Sequence, residues 1–444
     1  MSTGLKTVAR WGLALSAALL VCAAALVFSV LHLLRPAPGE WAETLRWGRW
    51  QHRLSMPTLV RMASHPFTLG LLQGHTLNTR FGPVRWTAGA KPGTWVVVCA
   101  PCALARAELG RERIVLTRAE FTLERDAALN LHGSFALGDA AQAVRGRWSA
   151  RIEPGQAEVK FDLPATPMAH AFGLFGSAVP EAGRARIEGS LALTARLRFP
   201  SRELLLAPRI EGFSVWGLGT EALAGALPAC AASRSGAPFG PWLPRAVIAA
   251  EDQRFYEHTG YDLAEIVAAW SANHNATRGD AARPRGASTL SQQLAKMIYT
   301  GDQPSPARKL RELLYAVELD RTLGKARVLG LYLALAPWGD GRCGAHAAAL
   351  HLLGQRAADL TPLEAAWLAS LLRNPTAMLA RAAQTGAIDV NRVAGVIDGM
   401  RPKAAPRRAA ARALLDGWRP AWLEANSQVA QREGAAGAPV HSGF

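Results

Sequence analysis

Acidic residues are what this chain is short of. It has 34 Asp and Glu against 50 Lys and Arg in 444 residues, a formal net charge of +16 and an isoelectric point near 10.5. That balance points to an anionic partner or a solvated basic surface. Missing alongside it is any Lys/Arg block interleaved with aromatics, so nucleic acid is not an expected partner. Cysteine is also scarce: Cys22, Cys99, Cys102, Cys230 and Cys343. Zinc needs more ligands at comparable spacing, and no metal site is expected. Cys99-Ala-Pro-Cys102 follows the apolar run Thr94–Val98, but no alternating helix–strand pattern surrounds it. That argues against redox catalysis and for a structural role, as a disulfide or two buried thiols. Charge of either sign is absent from Trp11 to Leu34. At ~1.5 Å per residue, about 24 helical residues cover roughly 36 Å, enough to cross the apolar core of a bilayer. The run is longer than a cleaved signal needs and ends in His32-Leu-Leu-Arg35, not in small residues. An uncleaved single-pass anchor is expected over residues 1–40. Lys6 and Arg10 before it favour an inside N-terminus, although Arg35, Arg46 and Arg49 weaken that bias.

Residues 41–221 read differently. Glu40 to Leu72 is expected to be partly helical, with Trp41, Leu45, Trp47 and Trp50 interleaved with arginines. From His75 to about Gly219 apolar and polar residues alternate between Gly, Pro and Asp turns, as in Arg113–Glu124, Val144–Gly155 and Gly183–Pro200. The pattern implies about eight to ten strands, without helices between them, in a half-buried antiparallel sheet. No acid–base pair clusters on these strands, so the module reads as a spacer or docking unit, dispensable for a chemical step. Residues 222–238 are rich in small residues, Pro and Gly, as a linker is. Residues 239–400 carry helical periodicity, with Leu310, Leu313, Leu314, Val317 and Leu319 close to one face. Thr361-Pro-Leu-Glu364 reads as a capping box with Pro at the first helical position. Residues 401–444 read as a basic helix and a tail too poor in apolar residues to fold. The fold class is therefore α+β and multidomain: an N-terminal transmembrane helix, a β-rich antiparallel module and a mainly α domain.

The chemistry concentrates between Ala246 and Gln293. An apolar turn, AVIAA, delivers Glu251 and Asp252 at its end, followed by Phe255, His258 and Gly260. An acid at the end of an apolar segment is partly desolvated, which lifts its pKa toward the range of a general base. Further on, Gly286-Ala-Ser-Thr289 opens a helix with Gln292 and Gln293 in its first turns. Hydroxyls, amides and free N–H groups there suit a phosphate or a sugar. Each half alone has a plain reading: a solvated acidic helix end and an N-cap.

Together, EDQRFYEHTG and GASTLSQQLAK resemble the first two signature motifs of glycosyltransferase family 51, the peptidoglycan glycosyltransferases. Ala307–Glu312 (ARKLRE) is similar to the third motif and Lys325–Gly341 to the fourth, in the same order. The resemblance spans about Phe239 to Pro375 and implies a lysozyme-like helical catalytic domain. It implies polymerisation of lipid-linked disaccharide-peptide (lipid II) into glycan, with polyprenyl pyrophosphate leaving. Glu251 is then the base and Glu312 the second essential carboxylate. Arg308 and Lys309 lie at the phosphates, and Asp252, Phe255, His258, Ser288, Thr289, Gln292, Gln293 and Lys296 form the substrate side. The resemblance leaves room for a divalent cation, Mg or Mn, without requiring one, and for other cell-wall synthesis proteins as partners. It implies a bacterial inner membrane location with the catalytic domain in the periplasm. Gly330 and Ala334 depart from the Glu and Asn usual in the fourth motif; Ala287 and Ser291 are milder changes. No Ser-x-x-Lys occurs, so no penicillin-sensitive transpeptidase is expected. The competing readings are a catalytically weak or inactive envelope scaffold of the same fold and a lysozyme-like glycan-cleaving enzyme.

Overall fold

A computed structural model describes residues 2–48, 50–104, 114–126, 130–225, 238–275, 286–339, 341–400 and 405–426. The chain starts with helix α1 (Ser2–Leu33), which contains an 18-residue window, Ser16–Leu33, apolar enough to cross a membrane and not buried against the protein. Its length and composition are compatible with a membrane anchor. The partly helical expectation for Glu40–Leu72 is half right. Strands β1 (Ala42–Trp47) and β2 (Trp50–Ser55) form a hairpin, and helices α2 (Met56–Ala63) and α3 (Pro66–Leu72) follow. Gly48, at φ 60°, supplies the positive φ the tight turn demands. Pro57 and Pro66 sit in the first turns of α2 and α3, where a missing N–H costs nothing.

Strand periodicity beyond His75 holds. The strands are β3 (Thr76–Thr79), β4 (Gly82–Ala88), β5 (Trp95–Cys99), β6 (Cys102–Leu104), β7 (Ile114–Leu116), β8 (Ala119–Arg125) and β9 (Leu131–Leu137). They continue with β10 (Val144–Ile152), β11 (Ala157–Pro167), β12 (Arg186–Phe199) and β13 (Leu204–Trp216). Nine form one antiparallel sheet, in the order β13-β12-β11-β10-β9-β8-β5-β4-β3, while β6 and β7 pair separately. Cys99 and Cys102 are joined in a disulfide that ties β5 to β6. Helix α4 (Met168–Gly173) and two 3₁₀ turns interrupt the strand run between β11 and β12, where no helix was expected. Six residues without a side-chain cap are too short to show a helical period.

Registry divides the sheet into two faces. Trp148, Phe161, Ala195 and Leu206 lie opposite one another across β10 to β13, and Val84, Cys99, Ala119, Leu137 and Val144 do so across β4 to β10. The alternate residues, among them Arg147, Asp162, Thr194, Lys160 and Arg196, share the other face. One face is thus apolar and the other charged.

The helical part comprises α5 (Leu243–Glu251), α6 (Leu263–Asn275), α7 (Leu290–Ala295), α8 (Pro306–Leu335), α9 (Ala345–Leu353), α10 (Pro362–Ser370), α11 (Pro375–Thr385), α12 (Val390–Gly399) and α13 (Ala405–Ala413). Thr361 and Glu364 close their capping box as read from sequence. Helix α8 is broken at Gly324, whose φ of 73° and ψ of 161° turn the chain between two helical pieces. The polar interval 276–285, most of the linker (226–237, with Cys230) and the tail from 427 lie outside the described residues.

The sheet does not stand apart from the helices. One core runs from Met168, Phe172, Phe213 and Val215 into Leu243, Val247, Leu314 and Trp367. Along α8, polar contacts recur at helical spacing. Arg311 holds the buried Glu181 through both carboxylate oxygens (2.8–3.0 Å), and Arg184 donates to the Tyr315 hydroxyl at 2.7 Å. Glu318, fully buried, accepts from the Leu218 N–H at 2.9 and 3.0 Å, and Thr322 bonds Thr220 at 2.8 Å. Residues 311, 315, 318 and 322 form one stripe of a 3.6-residue helix. These contacts work against the expectation that the β-rich module is dispensable, because they hold the helix that carries Lys309 and Glu312.

Candidate active site

Helix α5 begins with Pro244 in its first turn and buries Leu243, Ala246 and Val247 completely. Glu251 is its last residue, and Asp252, at φ −159° and ψ 74°, leaves the helix. The Glu251 side chain is 13% exposed. Burial pushes its carboxyl above the usual glutamate range; the hydrogen bond from Gln293 and the charges of Arg392 and Arg373 oppose that and only partly offset it. Gln293 Nε2 donates to Oε2 at 3.1 Å, and Tyr332 fixes that amide by donating to its oxygen at 2.9 Å. Arg392 Nη2 lies 3.4 Å from Oε1, and its Nε is anchored on the Ser370 carbonyl at 2.7 Å.

Glu251, Asp252, Arg254, Asp262, Glu265 and Ser288 are among the residues lining an open cleft of about 270 Å³. Ser288 links this wall to the start of α8, since Lys309 Nζ donates to its Oγ at 2.7 Å. Lys309 Nζ is also 2.7 Å from Glu312 Oε2, and Arg308 hydrogen-bonds the other oxygen. Glu312 is fully buried, whereas Lys309 is half-exposed. The i,i+3 pair is therefore no ordinary surface bridge: a buried carboxylate holds one part-buried and one solvent-facing cation.

Other candidates are turned inward. Asp252 accepts from His258 Nε2 (3.0 and 3.1 Å) and from the Leu290 N–H (3.0 Å), which fixes the start of α7 to the end of α5. His258 meets Lys325 at 3.4 Å, and Lys325 also lies over the Phe255 ring and pairs with Asp320. Asp320 accepts from Ser291 Oγ (2.6 Å) and from the Gly260 N–H. Phe255 is fully buried in the core. Thr289 and Gln292, 3% and 5% exposed, form the capping box of α7. Lys296, just past α7, pairs with the exposed Asp302 in the bend before α8. Glu251, Gln293, Ser288, Lys309, Arg308 and Glu312 are thus linked around the cleft; Asp252 and Thr289 line it too but spend their polar atoms on its frame, with Phe255, His258 and Gln292 behind. Lys325 and Tyr332 lie within the fourth-motif stretch, where sequence gives them no role of their own, and Asp320 and Arg392 are single polar residues in helices that carry no local signal.

Among the described residues no group of three or more His, Cys, Asp or Glu converges to hold a metal ion. Glu251 and Glu312 are engaged by an amide and by cations.

A family model described as Transglycosylase matches residues 235–401, the part that contains all of these groups. This region is similar to the transglycosylase family. Similar proteins include biosynthetic peptidoglycan transglycosylases of Nitrosomonas eutropha (44% identical over 133 residues), Nitrosomonas europaea (47% over 133) and Escherichia coli O81 (44% over 135). Each match covers 30% of this chain and 53–54% of the relative, so the chain spans about half the length of the curated relatives it matches. The β-rich module lies outside the matched region. Within the transglycosylase domain, the departures at Gly330 and Ala334 leave the helix intact. A Cβ added at Gly330 would meet nothing within 4 Å.

Proposed function

We propose that this chain is a membrane-anchored peptidoglycan glycosyltransferase that extends glycan from lipid II and releases polyprenyl pyrophosphate. The observation that carries the reading is a buried carboxylate with a raised pKa, Glu251, joined through one cleft wall to a cation-clamped second carboxylate, Glu312. Glu251 takes the proton from the attacking sugar hydroxyl, with Gln293 and Arg392 aiming the carboxylate. Its raised pKa brings its basicity closer to that of the hydroxyl it must deprotonate in the transition state. Lys309 faces solvent beside Ser288 and offers its charge to the departing pyrophosphate; Arg308 and Glu312 fix where that charge sits. Helix α1, long and apolar enough to cross a membrane, supports an inner-membrane anchor with the remainder in the periplasm, near lipid substrate and the other proteins of wall synthesis.

Purified full-length protein, given lipid-linked disaccharide in detergent, should form polymer and release polyprenyl pyrophosphate. A folded protein that yields no polymer would sink this reading.

A further inference from the structure

The apolar face of the sheet has an unbroken edge. Along β12 and β13 it consists of Phe199, Leu197, Leu193, Leu204, Leu206 and Ile210, half-buried and without a charged side chain among them. The opposite face of the same strands carries Arg196, Arg198 and Arg209. A sheet face this apolar is normally covered by a second layer. Here the contacts of β13 with α6 and α8, and of β11 and β12 with α4, leave the stretch from Leu204 to Pro208 half open.

Both ends of that stretch lead somewhere. At one end, Trp41, eight residues past α1, stacks on Phe199 with ring centroids 5.1 Å apart. At the other end, Leu206, Pro208 and Ile210 form one wall of a groove of about 890 Å³, and Leu263 and Val267 of α6 form the opposing wall. Arg254 and Asp262 border this groove and also the cleft that holds Glu251. From Leu204 to Ile210 the path is about 20 Å at ~3.3 Å per residue. Apolar surface therefore runs from the foot of the apolar N-terminal helix into this groove, whose polar side, with Arg254, Glu257, His258 and Asp262, meets the rim of the cleft.

We propose that the β12–β13 edge of the apolar face is a track for the polyprenyl chain of the lipid-linked substrate or product, running from the membrane end of the module to the Glu251 cleft. The proposal rests on the functional reading above. A long chain gains about 25 cal/mol per Å² of apolar surface it covers, and exposed prenyl units next to the cleft have that surface at hand. The charged face opposite offers nothing comparable, so binding is confined to one side of the sheet.

The test uses full-length protein in detergent with a polyprenyl pyrophosphate carrying a diazirine in its chain, and peptide mass spectrometry maps the labelled residues. Labelling is expected on β12, β13 and α6. Leu206→Asp and Leu193→Asp should each reduce it about tenfold, while Arg196→Ser on the charged face leaves it unchanged. Ala195→Trp, which fills the track without adding charge, should displace the label too and serves if the aspartates disturb folding. Labelling confined to α1, labelling insensitive to all three substitutions, or equal competition by excess phospholipid would overturn the track. Polymer formation is measured in parallel. Labelled sheet without polymer would leave the track standing and remove the glycosyltransferase reading; polymer without labelled sheet would do the reverse.

Discussion

The sheet and the helical domain treat charge in opposite ways. On the sheet, ion pairs such as Lys160–Asp162 and Arg198–Glu158 stand on an open face with side chains 37–45% exposed. Pairs of that kind contribute little, because water solvates the separated ions nearly as well. In the helical domain Asp252, Glu312 and Glu318 are buried, and each is held by donors fixed on another turn or element. Removing one partner there leaves an uncompensated buried group. The contrast teaches where precision resides. The sheet needs only alternation to form, whereas the helical cleft depends on individual partners, and the Glu181–Arg311 contact carries that dependence into the sheet.

The sharpest way to break the comparison is at Glu251. Glu251→Gln should lower polymerisation by roughly 10²–10⁴-fold, the usual worth of a general base. Its thermal stability should not fall at neutral pH. The folded carboxyl is raised by burial, so the folded state binds more protons than the unfolded chain between the unfolded and folded pKa values. Stability from this group is therefore present below the unfolded value and lost as pH rises through the folded one. The amide escapes that loss, and the stability gap between variant and wild type should close as pH falls; a gap that widens in acid would contradict the burial argument. The same pKa sets the acid limb of the rate profile above the range of an ordinary glutamate.

Arg311→Ala should have the next largest effect. It strands Glu181, and breaking a buried pair costs about 3–5 kcal/mol. Thermal melting and polymerisation should both drop, although Arg311 is in contact with the sheet and not with the cleft. Deleting residues 41–221 should for the same reason yield poorly folded protein. A well-folded, active deletion would restore the sheet to the role of a spacer.

Lys309 is expected to be more forgiving. Lys309→Arg should retain more turnover than Lys309→Ala, since a half-exposed cation beside Ser288 acts by charge and arginine preserves it with different geometry. Equal damage from both, measured as steady-state rate on lipid-linked disaccharide, would mean that the ammonium's shape matters. The smallest effect is expected from Gly330→Glu with Ala334→Asn. The open space at Gly330 admits the side chain, and activity should change by less than about tenfold, ~1.4 kcal/mol in barrier.

Much of the fold is legible in local pattern. Alternation in Val144–Ile152 and Arg186–Phe199 announces strands because a pleated chain presents successive side chains to opposite faces. Thr361 and Glu364 announce a helix start because their spacing closes two hydrogen bonds within one turn. The ordered motifs around Glu251, Ser288 and Lys309 are legible in another way: each alone has a plain reading, and it is their resemblance, in order, to the signature motifs of glycosyltransferase family 51 that implies a cleft there. Asp320 and Arg392 are different. Nothing near either residue in the chain says that one will clamp Gly260 and Ser291, or that the other will reach a glutamate 141 positions away.

Sequence by itself determined the alternation of the strands, the apolar first helix and the capping signals, because each depends on neighbours within a few residues. Only tertiary structure decided which polar groups are spent on the frame of the cleft. Asp252, His258 and Thr289 carry the same polar chemistry as Ser288 and Gln293, yet they face Leu290, Lys325 and Gly260 inside the frame. Tertiary structure also decided that the sheet is fastened to α8 through Glu181 and Leu218. Such choices turn on which surfaces become buried together, and burial belongs to the packed chain, not to any segment of it.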